Sequence, residues 1–435
     1  MAASDRVSDD ASPQTSKEVI VKLFVNHSVS AMAGAAALVC ALACPLTASA
    51  DDEALPLFLT ASMSLEHDSN FSRTPQAKSE TIRSAGVSAG LNKAHGRQNY
   101  VLYGQLTQNK YNRYGDLLDN DSKSLNAAFD TEVASDWKAS VGYRFNENLN
   151  AIQDNGSSLD QRIVRNIRRY RDLNGDLRYG LSGRFAVVAS VDRNDLSYSA
   201  QELQNAEQDS HGVKVYYNPT DLLSFGFGPR WVSTDFPNRV RNRNVKDRNV
   251  DLTTNWRVSG VSLLTGRLTW GKTRNSDDPD ASTAVTGAVG WVYTPRGPLT
   301  YTVNWSRATD TDRLQESQFA VAGGQLVQTL GSVVEDRITN TLALGARYRF
   351  SGKVSFGSEY RYVKYDSGRT RTGAFLNTSS ASESNFQSIG LDVNYQPIRS
   401  VGLGCNWQRY KQTPDIFRLE HKGYSTGCNA SFTID

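Results

Sequence analysis

The sequence predicts an all-β protein, a single transmembrane antiparallel up-and-down β-barrel of about 18 strands with short periplasmic turns and long extracellular loops. Three features point there. Apolar residues recur at every second position along many successive arms, the period of a strand with one apolar face. The opposite face of each arm is polar or glycine, so the arms have no second apolar surface with which to build a dry core. Connections between arms alternate between short and long, and no run of 18 apolar residues could form a spanning helix.

The last hairpin, Ile398 to Asp435, shows the pattern most plainly. Val401, Leu403, Cys405 and Trp407 share one face of its first arm, and Gly402, Gly404, Asn406 and Gln408 the other. Folding the second arm back so that Cys405 faces Cys428 also sets Leu403 against Ala430, Val401 against Phe432 and Trp407 against Thr426. One register thus satisfies the whole apolar face.

Residues 1–50 read differently. Lys17 and Lys22 precede an apolar run from Val29 to Leu46, and Ala48-Ser49-Ala50 follows, the order of a Sec signal peptide cleaved after Ala50. The expected domains are therefore 1–50, a cleaved signal peptide, and 51–435, an outer-membrane barrel. Cys40 and Cys44 leave with the leader. Cys405 and Cys428 remain, facing each other in an oxidising compartment, and a disulfide is expected between them. Lys+Arg 48 against Asp+Glu 45 is too even a balance to suggest a nucleic-acid partner.

The arms follow in order. Leu57, Leu59, Ala61, Met63 and Leu65 lead to a polar loop at Asn70–Ser79. Ala85-Val87-Ala89-Leu91 ends in the tight turn Ala94-His95-Gly96-Arg97, and Tyr100-Leu102-Gly104-Leu106 climbs to a loop at Arg113–Asp121. Further long loops are expected at Asn146–Arg162, Asn194–Ser210, Asp235–Lys246, Asn275–Ser282, Thr309–Val333, Asp366–Ser384 and Lys411–Lys422. Short turns at Leu181–Gly183, Asn218–Asp221, Ser259-Gly260, Thr294–Pro298, Ser351–Lys353 and Gln396–Ser400 carry Gly, Pro, Asn or Asp in most cases. Trp137, Trp256, Trp291, Tyr293, Tyr348, Phe350 and Tyr395 sit at the short-turn ends, where a periplasmic aromatic girdle belongs.

The polar face is where a function would lie. Continuing the alternation turns Lys138, Arg144, Arg178, Arg230, Arg257, Arg267, Arg347, Arg349 and Arg361 inward as lumen-lining candidates, with Arg184 and Lys214. Asp130, Glu132, Asp176, Asp192, Asp251, Glu359 and Asp392 share that face, and Arg239, Arg241, Arg243 and Arg248 add charge at one outer loop. A slightly basic, hydrated lumen favours anionic or hydroxyl-rich solutes, unless these charges pair across the wall. A small-solute porin would fold a loop inward as a constriction, for which Thr309–Val333 and Asp366–Ser384 are the candidates.

No catalytic, metal or cofactor site is expected. Gly266-Arg267-Leu268-Thr269-Trp270-Gly271-Lys272-Thr273 matches the phosphate-cradling G-x-x-x-x-G-K-T pattern, but lies inside an alternating strand rather than between a strand and a helix. His67, His95, His211 and His421 recur at no ligand spacing, and no serine is marked out as a nucleophile.

Asp51-Asp52-Glu53-Ala54-Leu55-Pro56-Leu57, His67-Asp68-Ser69-Asn70-Phe71-Ser72-Arg73 and Gly427-Cys428-Asn429-Ala430-Ser431-Phe432-Thr433 resemble a known family. They are similar to the EpsL-type outer-membrane proteins of exosortase/PEP-CTERM exopolysaccharide loci, within a broader β-barrel porin family. The resemblance implies a part in making or exporting an extracellular polysaccharide. Outer-membrane lipid and lipopolysaccharide, the polymer or another anionic solute, and periplasmic export components would be the partners. It brings no catalytic residues. The ending Phe432-Thr433-Ile434-Asp435 departs from the terminal aromatic of many barrels.

Overall fold

The computed structural model describes residues 57–434 apart from 134–135, 153–162, 181–182, 240–242, 277–281, 323–324, 373–377 and 416–417. The signal peptide, its cleavage site, Cys40 and Cys44 lie outside the described residues, as does Arg241.

Eighteen strands follow one another. The first six are β1 (Leu57–Asp68), β2 (Glu80–His95), β3 (Gln98–Tyr111), β4 (Asn120–Val133), β5 (Trp137–Leu149) and β6 (Ile167–Tyr179). Next come β7 (Phe185–Tyr198), β8 (Ala206–Thr220), β9 (Leu223–Phe236), β10 (Arg243–Ser259), β11 (Ser262–Asn275) and β12 (Ser282–Tyr293). The last six are β13 (Leu299–Ala322), β14 (Gln325–Arg349), β15 (Val354–Thr372), β16 (Thr378–Ile398), β17 (Val401–Gln412) and β18 (His421–Ile434). Each pairs antiparallel with its successor, and β1 pairs with β18, from Leu59 opposite Ile434 to Asp68 opposite Ser425. The sheet closes on itself and has no free edge along the membrane, which is what a strand-built span requires.

The apolar face is the outer one. Leu106, Val141, Val191, Phe227, Trp270 and Leu391 are exposed, Trp270 at 65%, and residues between them turn the other way. Buried apolar side chains are few among the described residues: Phe71, Leu118, Ile152, Ala186, Val232, Val363 and Tyr410. A soluble β-protein would bury its apolar face, whereas here that face is turned outward, as in a barrel set in lipid. The short-turn ends carry the expected girdle, with Trp137 on Tyr179 at 4.8 Å and Phe185 on Tyr217 at 5.1 Å between ring centroids. Gly96, at φ 59°, takes the left-handed conformation that the β2–β3 turn needs.

The predicted hairpin register is observed in full: Val401 faces Phe432, Leu403 faces Ala430, Cys405 faces Cys428 and Trp407 faces Thr426. Cys405 and Cys428 form a disulfide with Cα atoms 4.1 Å apart. Both cysteines are on the outward face.

The long connections differ from expectation. Thr309–Val333 is not a loop: β13 and β14 pair continuously from Leu299 opposite Tyr348 to Ala322 opposite Gln325. Asp366–Ser384 is likewise mostly strand, with β15 and β16 paired out to Arg371 opposite Thr378. β12 accompanies β13 only as far as Arg307, so the outer parts of β13–β16 run on beyond the neighbouring wall. About 9–11 residues suffice to cross a membrane. The surplus pairs with itself, because an antiparallel ladder needs a backbone partner and not an alternating apolar face.

Candidate functional site: the inward wall

The inward wall is built by alternation, and its chemistry changes around the barrel. On β2–β4 it is neutral between Glu80 at the mouth and Asp130 and Glu132 near the short turns. The Ser84 hydroxyl donates to Asn109 Oδ1 at 2.7 Å, and Asn109 Nδ2 donates to Asn120 Oδ1 at 3.1 Å and Ser122 Oγ at 2.9 Å. Below them the Tyr103 hydroxyl reaches Gln105, which donates to Thr107. These groups form a ladder of amides and hydroxyls across three strands.

The wall of β8–β11 is charged. Asp251 on β10 lies between the exposed Val250 and Leu252, so it points inward, and it is 1% exposed. Thr269 of β11 and Gly228 of β9 stand directly opposite it. Arg230 donates from Nε at 2.9 Å and from Nη2 at 3.3 Å, and the Thr269 hydroxyl donates at 2.7 Å. Lys214 Nζ of β8 stands 3.3 Å away. At Gly228 a Cβ would meet the Val213 carbonyl oxygen at 1.9 Å, so the strands close in here only because the residue is glycine. One carboxylate on β10 thus gathers two cations and a hydroxyl from three other strands. Such charge-assisted bonds are the strong kind.

The nine lumen-lining candidates sort into two groups. Arg230 is bound by Asp251, Arg347 Nη2 lies 3.8 Å from Asp392 Oδ2, and Lys138 Nζ lies 4.0 Å from Asp130 Oδ1. Arg144, Arg178, Arg257, Arg267, Arg349 and Arg361 make no ion pair among the described residues, and each alternates with outward apolar neighbours. Arg178 lies 5.8 Å from the Tyr216 ring. Arg349 borders a recess of about 440 Å³ at the short-turn end of β14–β18, whose lining includes Asn394, Gly404, Asn429 and Ser431. The candidates are distributed around the wall and form no single cluster. Arg248, expected to add to the outer loop's charge, alternates with Val250 and faces outward, because β10 begins at Arg243 rather than after Lys246.

A second feature, absent from the sequence reading, sits at the outer mouth. The loop after β1 packs against inward-facing side chains. Phe71 contacts Tyr111 at 5.7 Å and Tyr114 at 6.1 Å between centroids, beside Leu118 of a one-turn helix α1 (Gly115–Leu118). The Tyr410 hydroxyl donates to Asp68 Oδ1 at 2.6 Å, while Arg73 pairs with Asp68 at 2.7 Å and covers the Tyr410 ring at 4.0 Å. The Glu80 carboxylate accepts the backbone N–H groups of Thr81, Asn112, Arg113 and Tyr114. Buried Asp68, Asn70 and Glu80 are therefore hydrogen-bonded, as buried polar groups must be. The only hint in the sequence was a polar loop interrupted by a lone Phe71.

No family model matches this chain, and no curated protein matches it. It is similar to solved outer-membrane barrels at low identity. The FrpB iron transporter from Neisseria meningitidis (F3-3 variant) shares 9% identity over 88% of this chain and 82% of that one, with a TM-score of 0.45. The copper transporter OprC shares 12% over 88% and 82%, with a TM-score of 0.46. Acinetobacter baumannii OccAB2 shares 10% over 87% and 97%, with a TM-score of 0.44. Likeness at this level carries no argument about solute or mechanism.

Proposed function

We propose that the chain is an outer-membrane channel for hydroxyl-rich or anionic solutes, and that its solute is an exopolysaccharide on its way out of the cell. One observation carries the reading: six inward arginines without an acidic partner among the described residues share a wall with a ladder of amides and hydroxyls. Guanidinium groups recognise carboxylate and phosphate, while amides and hydroxyls exchange hydrogen bonds with sugar hydroxyls. The recess beside Arg349 offers the same combination. The export role in particular rests on the family resemblance of the short motifs at residues 51–57, 67–73 and 427–433.

A porin for small solutes, anions among them, is the second reading. The loop after β1 favours it, since it packs on the inside of the outer mouth through Phe71, Asp68 and Arg73. It takes the place of the two expected constrictions, which are strands. A non-conducting, polymer-holding barrel is the third outcome open to test.

Conductance of the refolded barrel in a planar bilayer, titrated with fragments of the host's exopolysaccharide, separates these readings. Block by polymer fragments that weakens when Arg267 and Arg361 become Gln supports the conduit. Conductance indifferent to polymer supports the small-solute porin. Absence of conductance from correctly folded barrel overturns both channel readings.

A further inference from the structure

On the inward face of β8–β11, Arg230 and Lys214 have Asp251 as a shared acid; four outward cations of β10 and β11 have no such partner among the described residues. On β10, Lys246 and Arg248 alternate with the exposed Val250 and Leu252, and on β11, Lys272 and Arg274 alternate with the exposed Leu268 and Trp270. All four cations are therefore outward, and all four are exposed. The register sets Lys246 directly opposite Arg274 and Arg248 directly opposite Lys272. Two like-charge cross-strand pairs are thus stacked one above the other, an arrangement that opposes sheet formation.

Elsewhere on the same belt several cations are matched. Glu147 holds Lys123 at 2.8 Å and Arg169 at 2.6 Å. Arg193 has Glu207 at 3.3 Å, and Lys364 has Asp366 at 3.0 Å and Glu383 at 3.1 Å. Two further basic pairs face outward, Arg83 opposite Lys110 and Lys411 opposite Lys422. Lys110 is bound by Asp119 at 2.8 Å, and neither pair has a second one stacked on it. Among the described residues, Asp235 shares the face of the four-cation group, and it accepts a hydrogen bond from Asn244. None of the four makes an ion pair among the described residues.

The position of the group is as informative as its charge. Arg248 lies directly opposite Trp231, and Trp270 is two residues below Lys272 on β11, both tryptophans being exposed on the outward face. The four cations stand level with and immediately beyond the last outward tryptophans of β9 and β11, Trp231 and Trp270, the level at which aromatic girdles mark the passage from hydrocarbon to headgroups.

We propose that Lys246, Arg248, Lys272 and Arg274 bind the phosphorylated headgroup of an outer-leaflet glycolipid. Phosphate oxygens draw charge-assisted hydrogen bonds from the arginines and lysines and offset the repulsion within each pair. The acyl chains of the same molecule descend over Val250, Leu252, Leu268 and Trp270. A free phosphate has no use for that apolar floor. The assignment rests on the outer-membrane part of the functional reading and is independent of what passes through the lumen.

The test uses the full barrel in detergent micelles and native mass spectrometry, with diphosphoryl lipid A, its dephosphorylated counterpart and inorganic phosphate as probes. The unaltered protein is expected to retain lipid A in preference to the dephosphorylated lipid. With all four cations changed to Gln, affinity for lipid A is expected to fall on the order of 100-fold, each cation contributing roughly tenfold or less. Arg193→Gln with Lys364→Gln, which removes matched cations, is expected to change it little. Equal retention of the phosphorylated and dephosphorylated lipids by the unaltered protein overturns the proposal, and that comparison stands even if the four-residue variant fails to assemble. Equal affinity of a folded variant overturns it as well, as does inorganic phosphate displacing lipid A at comparable concentration. Ion selectivity in the planar bilayer should be unaffected by the four substitutions, so failure of the channel reading and failure of this one are read in different measurements.

Discussion

The inner and outer faces of β10 and β11 carry charge at nearly the same height and treat it in opposite ways. Inside, Asp251 is almost fully buried and draws Arg230, Lys214 and Thr269 around it. Outside, a few residues away on the same strands, Lys246 faces Arg274 and Arg248 faces Lys272. Water in the lumen tolerates Arg257 and Arg267, which make no ion pair among the described residues, yet the buried Asp251 is fully paired. A wall groove narrow enough to bury a carboxylate must supply its counter-ions from within, whereas a group at the membrane surface can draw them from the lipid. Internal pairing fixes the strands; external mismatch leaves a surface ready for a partner.

The largest effect should come from breaking the inner side. Asp251→Asn leaves Arg230 and Lys214 facing each other and is expected to cost about 3–5 kcal/mol, read as a lowered denaturant midpoint. Adding Arg230→Gln and Lys214→Gln should recover part of that loss. Full additivity of the three substitutions, measured as a cycle, would show that the cluster is not a unit.

The disulfide comes next. It closes a separation of 23 residues between neighbouring strands. Replacing Cys405 and Cys428 by Ser is expected to lower stability by about 2–3 kcal/mol, seen as the same shift when the unaltered barrel is reduced. Conductance should not change, because both sulfurs are on the outer face.

Two smaller effects sharpen the contrast. Arg267→Gln with Arg361→Gln should lower the anion-to-cation permeability ratio while leaving stability within about 0.5 kcal/mol, since neither has an acidic partner to orphan. Reversal-potential measurements in a salt gradient decide it. Smallest of all, Lys272→Glu creates an outward pair with Arg248 and should stabilise the barrel in plain detergent by about 0.5 kcal/mol, while weakening lipid A retention. A loss of stability instead would mean that the stacked cations were not repelling each other.

Much of this architecture was legible in the residues. The outward set Val401, Leu403, Cys405 and Trp407 admitted one register with Phe432, Ala430, Cys428 and Thr426, and the structure has it. The girdle residues Trp137, Trp256 and Trp291 were legible because a turn fixes where an arm ends. Thr309–Val333 was misread because the alternation of apolar residues was the signal for strand, and beyond the membrane that signal is no longer needed for pairing. The partners of Asp251 were illegible for a different reason. They come from β8, β9 and β11, and a cross-strand neighbour is known only when the register of each pair is known.

By itself the sequence determined that the chain alternates, which face of each arm is apolar, and hence that it closes into a barrel with its apolar face in lipid. Those are properties of residues one and two positions apart. Only the tertiary structure decided which charges meet. Arg230 is bound while Arg267 has no acidic partner among the described residues, Arg248 lies on a strand rather than in an outer loop, and the loop after β1 packs inside the mouth where residues 309–322 form strand. The physical reason is that a carboxylate and a guanidinium interact strongly only within a few ångströms, and in a barrel that proximity is set by strand register and by which way each side chain points.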